Sequence, residues 1–198
     1  KKAGLTEIMH SENDVMWYDR IDQVIPTCKK LFKGIAVTPM SDIDITCASL
    51  YVNNSNGLAE ACDFMLTEMA TGDQAVRQKY GMPMVHEMSL LREYARQNDV
   101  DKIDFLPTMP KSGHIKEFYS IFNPAGYGQY LVGTNCGHGP GFIDNVHYVG
   151  EGIQNQVIPT PIFKEGYIPY VEHIPLATLH VHSKRLEEFI SYDRLKGI

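Results

Sequence analysis

The chain has 198 residues, enough for one domain with a substantial buried core, and its 43% hydrophobic and 21% charged residues are globular rather than disordered in balance. A net charge of −6, with basic clusters as short as Lys29, Lys30, Lys33 and Lys184, Arg185, excludes the basic stripe by which proteins grip nucleic acid. No apolar run approaches the ~20 residues that span a bilayer, and the opening residues do not read as a signal peptide.

In chain order, residues 5–10 read as a short strand, and Ser11, Glu12, Asn13 and Asp14 follow as a polar turn. Val15 to Tyr18 is apolar and aromatic. Residues 19–32 look helical, with Pro26 breaking the helix or starting a turn. Residues 34–39 and 45–53 read as strands on their β-branched and small residues. The Asn-rich stretch 53–57 is a turn, with Ser55 or Asn56 as the expected cap of the next helix. That helix, 57–70, puts Leu58, Ala61, Cys62, Met65 and Met69 on one stripe, which predicts a buried Cys62 thiol. A second helix over 86–98 groups Met88, Leu91 and Ala95.

Beyond Phe105 the chain is rich in Gly and Pro. Short β-like pieces are expected at 156–158, 161–163 and 167–171, the last pairing after a turn at Glu165-Gly166. Residues 176–182 read as a strand and 184–195 as a closing helix. The alternation of strands and helices predicts a single α/β domain over residues 1–198, and loops of this length in a compact domain are usually functional. The four cysteines have no CxxC spacing, so a zinc knuckle is disfavoured, and their pattern leans to a reducing, cytoplasmic setting.

Several groups carry chemistry. Glu12 and Asp14 lie two residues apart at the end of an apolar strand, where a turn lets both carboxylates face one point. Oxygen ligands of this kind suit Mn²⁺ or Mg²⁺. Short acidic turns are more often plain solvated loops. In the segment LHVHSK, strand alternation puts His180 and His182 on one face; one imidazole can ligate a metal, His182 being favoured, while Lys184 neutralises a phosphate. Strand-end histidines more often sit in ordinary hydrogen-bond networks, but two metal-competent pieces far apart in sequence strengthen each other. In FNPAGYGQYL, Asn123 and Gln129 offer hydrogen bonds to sugar hydroxyls and Tyr127 a ring to stack on; the plainer reading is a tight turn before a helix. Glu87 is the candidate base or sugar-hydroxyl contact. His86-Glu87 is not HExxH, because Leu90 stands where the second histidine is required, and neither GxSxG nor a phosphate loop is present.

These segments together carry a resemblance. HSENDV followed by Asp19 and Asp22 resembles the DxD segment of GT-A glycosyltransferases, departing from it by placing Glu12 first. Residues 45–69 resemble that family's strand, Asn-rich turn and helix. FNPAGYGQYL with PGFI, and the ending LHVHSKRLEEF, are similar to a bacterial and viral group described as glycosyltransferases. The ending is also similar to the His and Lys segment of glycogenin-type retaining enzymes. The resemblance spans roughly residues 5–190. It implies a GT-A-like mixed sheet flanked by helices, a UDP- or GDP-sugar donor, a glycan or other hydroxyl acceptor, and a metal held by Glu12, Asp14 and His180 or His182. Only about ten residues precede the ExD turn, so the family's nucleotide-binding half is expected to be absent or truncated, and the chain to be part of a longer protein or of a homo-oligomer. A non-catalytic glycan-binding or structural remnant of the same fold is the main alternative. A hydrolase using the same acids and histidines is the third.

Overall fold

The computed structural model describes residues 7–40, 44–124, 127, 162–163 and 168–180. Within them the chain is an α/β fold with two mixed sheets and flanking helices. The first sheet takes β1 (Ile8–Ser11), β3 (Ile35–Pro39), β4 (Ile45–Val52) and β5 (Ile103–Phe105), in the order β1-β4-β3-β5. β4 runs antiparallel to both β1 and β3, and β5 lies parallel to β3. The second sheet is built round β9 (Ile174–His180). β2 (Val15–Trp17) and β8 (Pro169–Val171) pair with it antiparallel, and β6 (Ile121–Phe122) pairs with it in parallel. β7 (Ile162–Phe163) pairs antiparallel with β8, Ile162 opposite Tyr170; the turn expected at Glu165-Gly166 lies outside the described residues.

Side-chain alternation explains how the first sheet is filled. Ile35, Val37, Leu50 and Val52 point to one face and pack with Ala61 of α2 (Ser55–Ala70) and with Leu91 and Tyr94 of α4 (Glu87–Gln97). Ala36 and Tyr51 point to the other face, where they meet Val24, Cys28 and Phe32 of the α1 region (Ile21–Leu31), together with Phe122 and Ala177 from the second sheet. The second core therefore joins the two sheets. Pro26 lies inside α1 without ending it; the helix loses one backbone donor there and continues to Leu31.

Local chemistry sets the helix starts. Asn54, rather than Ser55 or Asn56, caps α2, its side-chain oxygen accepting from the Gly57 N–H at 3.0 Å. His86 and Ser89 form a reciprocal capping box at the start of α4. Cys62 is half-buried rather than buried, because it lies at the margin of the α2 stripe, and Met69 at the end of that stripe is exposed. Two short helices, α3 (Asp73–Tyr80) and α5 (Ile115–Phe118), complete the described elements. No helix among the described residues is long and apolar enough to cross a membrane.

Candidate metal centre

The acidic turn marks the point where the chain leaves one sheet for the other. The Glu12 N–H donates to the Ala48 carbonyl at 3.2 Å, which extends the β1–β4 pairing by one residue. The Val15 N–H then donates back to the Glu12 carbonyl at 3.2 Å and closes the turn over Asn13 and Asp14. At once β2 begins, and its first residue, Val15, stands opposite His180, the last residue of β9. Pairing of β2 with β9 thus carries His180 to the two carboxylates across more than 160 residues of sequence.

The geometry is compact. His180 Nε2 lies 3.4 Å from Glu12 Oε2 and 3.3 Å from Asp14 Oδ1. One ligand atom from each of the three residues falls within 4.8 Å of the others. Ligands at right angles around an ion at 2.1–2.3 Å stand roughly 3 Å apart, so these separations are close to what a divalent cation needs. The imidazole is only 5% exposed, whereas the Glu12 and Asp14 side chains are 37% and 30% exposed. The histidine forms the back of the site and the carboxylates its open side, where a ligand from solution has access.

The orientation of the ring is set from behind. His180 Nδ1 lies in a short hydrogen bond with the Pro124 carbonyl. A carbonyl only accepts, so Nδ1 carries the proton, and in the neutral ring Nε2 turns its lone pair to the acids. Positive charge at Nε2, a proton or a metal ion, offsets the repulsion between the two carboxylates that face it at 3.3–3.4 Å. The donor set, two carboxylates and one imidazole, fits Mn²⁺ better than Mg²⁺, since imidazole suits transition metals and Mg²⁺ prefers oxygen alone.

Asn123 belongs to this support. It is fully buried, and its Oδ1 accepts the backbone N–H of His180 at 3.1 Å. Its own N–H donates to Thr178, to the carbonyl at 3.3 Å and to Oγ1 at 3.1 Å. Expected at a sugar, Asn123 instead lies behind the histidine. Tyr127 is likewise buried, its phenol pushed above its usual range first by burial and then by the charge of Glu172, so its ring is not open for stacking on a sugar. Glu87 is the exposed first residue of α4, apart from the three-residue cluster. Burial pushes the Cys47 thiol up to about 11, and the charges of Glu12, Cys62 and Glu87 add to that. His182, Lys184 and Gln129 lie outside the described residues.

Pro124 and Thr178 were not singled out from the sequence. Asn-Pro at the end of a short apolar run is a strand-stop signal, but only the β6–β9 pairing shows that it stops beside a histidine. Two further pairs emerge only in the fold, His114 Nε2 with Asp104 Oδ2 at 3.0 Å and His86 Nε2 with Asp44 Oδ1 at 3.6 Å. Burial raises the Asp44 carboxyl above its usual range, against the lowering effect of His86 and Arg92.

Set beside known proteins, the chain matches no family model, no curated protein and no solved structure at a significant level. The chemistry of the site itself is then the guide to function.

Proposed function

We propose that this chain carries the metal-binding and acceptor-binding portion of a GT-A-type glycosyltransferase, which moves a sugar from a UDP- or GDP-sugar to a hydroxyl of a glycan or other acceptor. The observation that carries the reading is the convergence of Glu12, Asp14 and His180 at the junction of the two sheets. Glu12 and Asp14 would hold the ion from its open side and His180 from the buried side. When bound, the ion supplies Lewis-acid charge for a departing diphosphate. The Glu12 and Asp14 side chains are 37% and 30% exposed, so an ion held there would be reachable by the phosphate oxygens of a donor from solution, as a catalytic rather than a purely structural site requires. Lys184, four residues beyond His180, is the proposed phosphate contact, and Gln129 the proposed sugar contact. The reading places the protein in the cytoplasm, where thiols such as those of Cys28, Cys47 and Cys62 stay reduced.

The test is calorimetric titration of Mn²⁺, with and without UDP, into the wild type and Asp14→Ala. Binding that needs Asp14 and tightens with UDP is the expected result, and it would justify a donor and acceptor screen. Absence of Asp14-dependent binding would leave the non-catalytic glycan-binding reading. Release of free sugar or phosphate from the donor without any acceptor would point to hydrolysis instead.

A further inference from the structure

The segment Phe122-Asn123-Pro124 does more than end a strand. β6 pairs with β9 in parallel, Ile121 opposite Leu176 and Phe122 opposite Thr178, so the register shifts by one residue between them. A shift of that kind re-aims the side chains that follow it. Here it brings Asn123 beside the end of β9 with both of its hydrogen-bonding ends engaged: the backbone N–H holds Thr178, and Oδ1 holds the N–H of His180. The next residue, Pro124, presents its carbonyl to the ring of the same histidine. Two consecutive residues therefore grip His180 twice, once at the backbone and once at Nδ1. Ser49 Oγ reaches Thr178 Oγ1 at 3.4 Å, which ties this grip to the first sheet, where Glu12 is anchored through Ala48.

We propose that Asn123 is the positioning residue of the centre: by fixing the end of β9 against Pro124 it holds His180 with Nδ1 protonated and Nε2 directed at Glu12 and Asp14. For its functional consequence the inference rests on the metal-centre reading above; the placement of the ring does not. Loss of the amide oxygen frees the His180 N–H, lets the last residue of β9 separate from Pro124, and opens the Nδ1 proton to solvent. Partners that orient a ligating imidazole from behind typically alter metal affinity by about 10- to 100-fold.

Two measurements separate ring placement from metal binding. The first is nitrogen-15 NMR of the histidine rings in the metal-free protein. The wild type should show a slowly exchanging Nδ1–H for His180, Asn123→Ala should lose it to exchange with water, and Asn123→Asp, which keeps an acceptor oxygen, should restore it. An unprotonated Nδ1 in the wild type overturns the inference even if Asn123→Ala does not fold, and so does an Asn123→Ala protein whose Nδ1–H is unchanged. The second is Mn²⁺ titration of the same proteins, with affinity expected to fall about 10- to 100-fold in Asn123→Ala and to recover in Asn123→Asp. A wild type that binds no Mn²⁺ removes the metal reading, while the ring-proton signal still decides the role of Asn123.

Discussion

Glu87 and Asp14 carry the same charge but stand differently. Asp14 shares a point with Glu12 and His180, while Glu87 heads α4, where a carboxylate also interacts favourably with the helix dipole. The two roles separate under substitution. Glu87→Gln should leave Mn²⁺ affinity within about two-fold, because the residue is no ligand, yet lower transfer about 100-fold if it acts on the acceptor hydroxyl as a base. Steady-state transfer assays beside the metal titration check this, and unchanged turnover leaves Glu87 as a charge in the first turn of α4. The three residues of the cluster were legible in the sequence as candidates, two acids two apart and a strand-end histidine. That His180 reaches the acids was not, because it depends on Val15 standing opposite His180, a pairing no local pattern encodes. The part played by Asn123 was hidden for the same reason: an amide that faces a sugar and an amide that caps a neighbouring strand look alike in a sequence.

Among the elements, those with a strong period were readable nearly to the residue, and those without one less well. Residues 34–39 and 45–53 gave β3 and β4 nearly to the residue, and the apolar stripes of 57–70 and 86–98 gave α2 and α4. α3 carries a single buried residue, Val76, so it had no stripe to find, and β5 and β6 are too short to show alternation. The entry to β3 depends on a close approach instead. The Ile35 N–H donates to the Lys102 carbonyl at 2.9 Å, and a Cβ placed on Gly34 would lie 2.0 Å from that same oxygen. The Lys102 carbonyl carbon at 2.6 Å and the Asp101 carbonyl oxygen at 2.8 Å would also clash, and all three atoms belong to backbone, so no side chain can swing aside. Gly34→Ala should therefore push β5 away from β3 and destabilise the protein by about 3 kcal/mol, the upper range for overpacking. Urea unfolding followed by circular dichroism measures it, and a loss below about 1 kcal/mol would mean that the β3–β5 edge yields easily.

At the scale of the whole molecule, the shared core between the two sheets and α1 links stability to pH. Cys28 is fully buried there, among Phe32, Tyr51, Phe122 and Ala177, and burial pushes its thiol up to about 12. Burial likewise raises the Tyr18 phenol to about 12. Between the ordinary thiol value of 9.0 and about 12, the unfolded chain releases the Cys28 proton and the native protein keeps it. The native state then binds more protons, so stability is full below about pH 9 and falls as pH rises through this window. One retained proton costs about 1.4 kcal/mol per pH unit, or about 2 kcal/mol by about pH 10.5. Cys28→Ala opens a small cavity and lowers stability at every pH, but it removes this proton from the balance. Its stability should therefore decline less steeply than that of the wild type between about pH 8 and about pH 10.5, by about 2 kcal/mol over the interval, with Tyr18 still contributing to both proteins. Urea titrations across that range read the difference directly. Parallel curves would mean that the Cys28 thiolate is tolerated in the native core, and that the interface joining the two sheets opens to water more readily than its burial implies.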